Sequence, residues 1–517
     1  MTTNLARRFL ASALRHPSAC ALAAGDARHS YAELHEAAQL ARAGLSHLPP
    51  GSHVAVLAPV GLHACAGILG VLAAGHAYIP LNPAYPAARN AAIARAGEAR
   101  AVVCDQTSAA AARALADELG CPLVLTAPGN ASALLRPCDP DSAALRRMAA
   151  SLPDEPEPVQ AHQPAYVMFT SGSTGTPKGI AISHANAGAY FDHVGAALPL
   201  TPADRCSQMF ELTFDLSVHD MFATWQAGAC LCCPSRADRM LPGSFITRHR
   251  LTAWFSVPTV GATMARCGQL PPGAFPSLRL SLFCGEALPA AIAAQWAHAA
   301  PGSDVVNLYG PTEATIAITQ HTWNPETSPA RCRNGLVPIG LAFAPQRASI
   351  RDEAGLPVAD GQVGELWLGG SQIAAGYLHD PQRTGQAFVT DAQGLRWYRT
   401  GDLALMDAEG ELVFSGRRDS QVKLRGHRVE LAEIEHALSR VEGIREAVVL
   451  PVTDASGAVS SLVAAIIGDI PPERARQRCQ ALLPDYMVPA RFVPFADFPV
   501  NANGKTDRPA IRARIGA

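Results

Sequence analysis

The chain has no block of like charge, no apolar run of membrane-spanning length and no paired cysteine spacing. Each absence excludes something. Lys and Arg number 42 against 44 Asp and Glu, for a formal net charge of −2. A nucleic-acid partner, which is recognised through clustered Lys and Arg, is therefore not expected. A membrane helix needs about 20 consecutive apolar residues, so no membrane partner is expected either. The 13 cysteines are scattered. In a long chain they read as reduced, mostly buried thiols of a cytoplasmic protein. Their one cluster, Cys230, Cys232 and Cys233, lies in GACLCCPS, a strand of small residues without further ligands at metal-binding spacing. The Walker A order Gly-Lys-Ser/Thr is missing, and so is a G-x-G-x-x-G turn. At the N-terminus, Arg7 and Arg8 precede small apolar residues, but Arg15, His16 and Pro17 interrupt them. That pattern predicts an amphipathic first helix rather than a targeting peptide.

What is present is a large apolar fraction. Hydrophobic residues make up 48% and charged residues 17% of 517 residues, enough for at least two cored domains. Ser30 and Glu33 have the spacing of a capping box ahead of a helix to Leu48. Short apolar strands near 54–59, 101–104 and 122–126 alternate with Ala-rich helices, one of them at 65–74. This alternation predicts a mostly parallel sheet with helices on both faces. The stretch 139–164, rich in proline and acid, reads as a surface connection. Helices are expected over 180–197 and from Phe214, where Asp215 or Ser217 could cap. Strands are expected at 253–258, 280–284 and 305–309, and in parallel sheets ligands sit at such strands' C-terminal ends. From Gly361 strand-and-turn patterns take over, and a smaller α+β unit begins near Asp419.

The most informative stretch is YVMFTSGSTGTPKG, residues 166–179. A short apolar strand opens into a loop of glycines and hydroxyls that ends at Lys178. Such a loop brings backbone N–H groups, hydroxyls and a positive charge to a polyphosphate. A bare Gly/Ser/Thr cluster would equally describe a surface turn. Further strings follow in order: GHAYIPLNP (75–83), FDLSVHDMF (214–222), NLYGPTEAT (307–315), GELWLGGSQIAAGY (364–377), YRTGDL (398–403), GRRDSQVKLRGHRVELAEIE (416–435), LPDYMVP (483–489) and NANGK (501–505). Together they resemble the core motifs of amino-acid adenylation domains of nonribosomal peptide synthesis. Stand-alone relatives such as D-alanine:carrier-protein ligases, within the adenylate-forming enzymes, are similar too.

The resemblance implies an α/β fold. A large N-terminal domain (1–418) of stacked, mostly parallel sheets with flanking helices and a small β-barrel-like subdomain would precede a small, mobile α+β domain (419–517). It implies ATP and Mg²⁺, and a ligase that makes an aminoacyl-AMP and passes it to the phosphopantetheine thiol of a separate carrier protein. Thr170, Ser171, Gly172, Ser173, Thr174, Gly175 and Lys178 would hold the phosphates. Thr312 would meet the α-phosphate and Glu313 the metal. Asn307 and Tyr309 would meet adenine, with Gly285 and Glu286 on the same face, and Asp402 and Arg417 would meet the ribose. Lys505 would be the catalytic lysine, Asp419 a hinge, and the Lys423–Gly426 loop the thiolation element. Asp215 would pair with the substrate ammonium group. The rest of the pocket would be Leu216, His219, Phe255, Leu282, Cys284, Leu308, Ile316 and Ala317. Such a pocket suits a small, mostly apolar amino acid, alanine- or proline-like, and leaves open whether His219 is packing or binds a hydroxyl. Asn82 stands where Asp is usual and Ala375 where Arg is usual. The alternative is an acyl- or aryl-CoA synthetase using free CoA, for which a buried Asp215 would be left without a counter-charge.

Overall fold

The computed structural model describes residues 4–126, 142–171, 177–418, 421–454, 459–499 and 506–516. Two stacked sheets carry the larger part. In the nine-stranded sheet, six neighbouring strands run parallel: Asp304–Tyr309, Leu280–Phe283, Ala253–Ser256, Arg205–Ser207, Cys230–Cys233 and Cys20–Ala24. Antiparallel strands close both edges. The six-stranded sheet is parallel except for its last strand, Lys178–Ser183, which returns antiparallel on Pro164–Thr170. Both faces of these sheets are covered, so strands such as AWFS at 253–256 and CLCC at 230–233 are buried at every position and show no alternation. The described cysteines are free thiols, as their spacing predicts.

A five-stranded antiparallel sheet follows, built from Arg347–Arg351, Gly364–Gly369, Phe388–Thr390, Arg396–Met406 and Leu412–Arg417. After residue 420 come the hairpin Gln421–Leu424/His427–Glu430 and a three-stranded sheet flanked by helices. These elements have an apolar core of their own, centred on Val429, Ile434, Leu438, Ala464 and Met487. The fold is thus the mixed α/β architecture expected, a large sheet-stacked part followed by a small α+β part. The helix Tyr31–Leu45 carries the capping box of Ser30 and Glu33 with both reciprocal bonds.

Three local expectations are corrected. Residues 180–183 continue the strand, and the helix starts only at His184. Ile180 and Ile182 suit a buried strand, and Ser183 forms a capping box with Asn186 that sets the helix start. Within 139–164 the segment SAALRRMAAS folds as the helix Ser142–Ser151, because alanine, leucine and arginine are strong helix formers. At Leu216–Gln226 neither candidate caps: Asp215 occupies the N-cap position, but its side chain makes no capping bond.

Gly340 joins the nine-stranded sheet to the five-stranded one through paired backbone bonds with Leu412. It has φ +78°, and an added Cβ would lie 1.8 Å from the Gln320 carbonyl oxygen. Gly340→Ala should therefore destabilise the protein at the upper end of single-substitution effects, by about 3 kcal/mol or more. Thermal unfolding measures this, and an unchanged Tm would show the seam to be slack.

Candidate functional site

The C-terminal ends of the parallel strands converge on one cavity of about 90 Å³. Thr170 and Ser171 reach it from the six-stranded sheet, and Cys284, Gly285, Gly310 and Thr312 from the nine-stranded sheet. Asp402 and Arg417 come from the five-stranded sheet, and Lys423, Gly426 and Arg428 from the hairpin. Two glycines permit the close approach. Gly285 has φ +88°, and a Cβ on Gly310 would lie 2.5 Å from the Ala317 Cα.

Asp215 stands on this cavity and is only 6% exposed. Its Oδ2 is buried without a hydrogen-bond partner. Loss of hydration pushes its carboxyl up to about 7, opposed by the Thr312 hydroxyl. Glu313, on the turn Thr312–Ala314, is fully buried too but is matched. Tyr377 donates its hydroxyl to Oε1 at 2.8 Å, and Arg428 Nη1 lies 3.3 Å from Oε1 and 3.1 Å from Oε2. Burial works against the charge, but Arg428 and Lys178 outweigh it and hold the carboxyl below its usual range. Lys178 is pulled the other way, by burial and by Arg428, below the usual ammonium range.

The hairpin engages the phosphate-loop residues directly. Ser171 Oγ donates to the Arg428 carbonyl at 2.5 Å and accepts the Glu430 N–H at 3.1 Å. Lys178 Nζ lies 3.5 Å from Glu430. Glu286 accepts the Gly426 N–H at 2.7 Å and the Thr259 N–H at 2.9 Å. Lys423 lies 5.5 Å above the Tyr309 ring, whose hydroxyl donates to Asp402. Arg417 pairs with the other oxygen of Asp402 and also donates to Gln421.

Most of the sequence-derived residues are thus gathered around one space, but not all line it. Asn307 is buried, with its amide nitrogen donating to the Pro338 carbonyl at 2.9 Å, and it does not line the cavity. Of the pocket residues, Leu216, Cys284 and Ile316 join Asp215 on the wall. Burial pushes the Cys284 thiol up to about 12, so it is an apolar wall rather than a nucleophile. His219, Phe255 and Leu282 line a separate cavity of about 20 Å³. His219 Nδ1 shares a 2.8 Å hydrogen bond with the Tyr190 hydroxyl, and its ring packs edge-on to Phe255 at 4.8 Å. Burial pulls its pKa down to about 3, so it is neutral. Leu308 and Ala317 are buried and line neither cavity. Gly172, Ser173, Thr174, Gly175, Asp419 and Lys505 lie outside the described residues.

Several participants carry no sequence-derived role: Arg428, Glu430, Gln421, Tyr377 and Tyr190. A signal for two of them exists. Arg425 and Gly426 have φ +51° and +82°, a hairpin turn with both central residues left-handed. Arg428 and Glu430 lie two apart on the strand that follows, and so share one face. Tyr377 and Tyr190 come from distant segments that only the fold brings in.

A family model described as AMP-binding enzyme matches residues 9–378, and one described as AMP-binding enzyme C-terminal domain matches 433–505. The chain is 36% identical over 513 residues to the phosphinothricin tripeptide synthetase PhsC of Streptomyces viridochromogenes, covering 97% of this chain and 44% of that protein. It thus spans less than half of that curated relative, and 6% of the nonribosomal peptide synthetase CymA of Salinispora arenicola. The adenylation domain AlmE of Vibrio cholerae, solved with glycyl-adenosine-5'-phosphate, superposes with a TM-score of 0.85 at 31% identity, covering 100% of this chain and 98% of that one. Holo-PA1221, an adenylation and carrier-domain protein bound to a vinylsulfonamide inhibitor, gives 0.79 at 28% identity, covering 99% and 84%. The convergent strand ends, the buried carboxylates and both family models agree, and the chain belongs to the AMP-binding enzyme family, among relatives that are adenylation domains of the nonribosomal-peptide type.

Proposed function

We propose that this chain activates a small amino acid with ATP as the aminoacyl-adenylate and passes it to the phosphopantetheine thiol of a carrier protein. The observation that carries the amino-acid part is Asp215. A carboxylate out of water with one oxygen unpartnered is strongly disfavoured unless a cation meets it. An α-ammonium group supplies that cation, and the acid of an acyl- or aryl-CoA synthetase does not. AlmE, solved with a glycyl-adenylate, supports a small side chain here. So does the cavity wall of Leu216, Cys284 and Ile316, which ends before His219 and Phe255.

In the first half-reaction a substrate carboxylate oxygen attacks the α-phosphorus of ATP, and pyrophosphate leaves. The work asked of the protein is positioning and charge neutralisation. Asp215 orients the amine, and Ser171, Lys178 and the loop at 172–175 hold the phosphates. Thr312 meets the α-phosphate, Asp402 and Arg417 the ribose, and Lys505 the transferring carboxylate. Glu313 suits Mg²⁺: it is a single hard-oxygen donor whose remaining partners would be phosphate oxygens. When bound, that ion supplies charge neutralisation for the leaving pyrophosphate. In the second half-reaction the thiol displaces AMP. A second cleft of about 420 Å³ runs between Val257, Thr259 and Glu286 on one side and Arg425 and Asp454 on the other, and it offers the arm a route past Gly426. Asp419 is the proposed hinge between the two halves.

The decisive assay is ATP–pyrophosphate exchange across the proteinogenic amino acids, both enantiomers of alanine, and a few aryl and fatty acids. Exchange with glycine, alanine or a similarly small amino acid is expected. Exchange with non-amino acids alone would overturn the role of Asp215 and favour the CoA ligase reading. Asp215→Asn should abolish exchange while leaving the fold intact.

Asp215 also sets a pH dependence. Its carboxyl is neutral below about 7 in the folded protein and must be charged to hold an ammonium group. The KM for the amino acid should therefore rise about tenfold per unit as pH falls below 7. Stability runs the other way. A carboxyl raised by folding stabilises at low pH, and that contribution is lost as pH rises through 7. Asp215→Asn should accordingly raise the Tm at pH 8 and leave it unchanged near pH 3. A flat KM profile between pH 5.5 and 7 would remove the buried carboxylate from substrate binding.

His219→Ala should join the small cavity behind it to the main one. Exchange should then extend to valine- or leucine-sized substrates, read across the same panel. An unchanged preference would mean that Leu216, Cys284 and Ile316 alone set the limit.

A further inference from the structure

We propose that Cys20 and Cys230 form an oxidisable thiol pair, a modification site at which peroxide clasps the strand Cys20–Ala24 to its neighbour Cys230–Cys233. The two Sγ atoms lie 3.2 Å apart and share a hydrogen bond. A regular sheet would not bring them together. The strands run parallel, with Leu22 opposite Leu231 and Ala23 opposite Cys232, so Cys20 stands one step short of Cys230. Neighbouring strands lie about 4.8 Å apart and rise about 3.3 Å per residue, which puts the two Cα atoms at about 6 Å, within the range that a disulfide spans. An unbroken pleat would still turn a residue one step away to the opposite face. Here the pairing of Cys20–Ala24 with Ala27–Ser30 slips between Cys20 and Leu22. Cys20 packs with Ala23, Cys230 and Cys232, while Leu22 belongs to the other apolar cluster.

The two thiols divide the work. Cys20 is half-buried and meets the oxidant, and Cys230 is buried beside it. The hydrogen bond with Cys230, and then burial, push the Cys20 thiol up, against a weaker pull from Arg205. The first step is therefore slow, because the thiolate is the nucleophile. Cys20 sulfur attacks one oxygen of hydrogen peroxide, the O–O bond breaks, and the thiol proton leaves with the other oxygen as water. Cys230 sulfur then attacks the Cys20 sulfenic acid. The S–O bond breaks, the S–S bond forms, and a second water carries off the Cys230 proton. The sulfurs lose one electron pair and the peroxide gains it. Proximity makes this second step fast. Both cysteines open their strands, whereas the cavity gathers at the C-terminal ends of the parallel strands. The clasp acts on the stability of the sheet: it closes the chain from 20 to 230 into one loop, and cross-links that close long loops restrict the unfolded chain most.

The test treats the full chain with hydrogen peroxide, alkylates the remaining thiols in denaturant, and maps the peptides by mass spectrometry with and without dithiothreitol. The exposed Cys267 serves as the internal gauge of oxidant dose. A peptide containing residue 20 should appear linked to one containing residue 230, two hydrogens lighter than the separate pair, and should be lost on reduction. The apparent Tm should rise by about 5 °C or more and return on reduction. Cys20→Ser should lose both effects. Cys20 and Cys230 left unlinked after Cys267 is fully oxidised would overturn the proposal, as would a link from Cys230 to Cys232 instead. A linked product with an unchanged Tm would overturn the clasp. Should Cys20→Ser fail to fold, the wild-type maps before and after reduction decide alone.

Discussion

A carboxylate taken out of water has to be matched, and this site is arranged around two that are matched differently. Glu313 is met within the chain by Arg428 and Tyr377, and its carboxyl is held below the usual range. Asp215 has a buried oxygen with no hydrogen-bond partner, and its carboxyl rises to about 7. Burial is comparable in the two, so the difference is one of partners rather than of solvent. The matched carboxylate is satisfied from within the chain. The unmatched one is left for the cation that the proposed substrate would bring.

The scaffold makes both burials possible. Strands of one parallel sheet deliver Cys284, Gly285 and Gly310 to the same edge, and the antiparallel return from Pro164–Thr170 to Lys178–Ser183 sets Ser171 and Lys178 on either side of a short loop. Tyr309 shows how tightly the parts interlock. Its strand lies in the nine-stranded sheet, its hydroxyl binds Asp402 of the five-stranded sheet, and its ring lies under Lys423 of the hairpin. One side chain thereby links three separately built units.

Much of this was legible in the sequence, for identifiable reasons. Buried strands read as apolar runs bounded by glycine, and the phosphate loop and the Tyr-Gly-Pro-Thr-Glu turn are compact strings whose order carries the information. The Ser30 box was readable because its logic is local. What failed depended on partners far along the chain. Residues 180–183 carry a strand because Tyr166–Phe169 lies beside them, and Asp215 sits at a helix start without capping because its side chain faces the cavity. Asn307 follows the motif, yet the carbonyls of Val337 and Pro338 claim its amide nitrogen, a pairing no local pattern announces. Arg428 stood in a recognised string, but its partner is 115 residues away.

His219 shows how such a long-range partner alters a chemical reading. Alone in an apolar pocket, an imidazole could serve as a hydrogen-bonding hook for a substrate hydroxyl. Tyr190, fully buried on the preceding helix, takes Nδ1, and burial keeps the ring neutral. Phe255 then packs against it edge-on, and the space behind belongs to a cavity of about 20 Å³, room for about one water molecule. His219 is thereby part of a fixed aromatic floor instead of an adaptable polar contact. Under the proposed function, a floor of that kind would discriminate by size: it would admit side chains that end at Leu216, Cys284 and Ile316, and exclude longer ones because a close-packed interior yields little. The polar demand of the pocket is left to Asp215 alone. In the proposed reading, recognition divides between one charge, which reads the amine common to all amino acids, and one rigid wall, which reads how little lies beyond it.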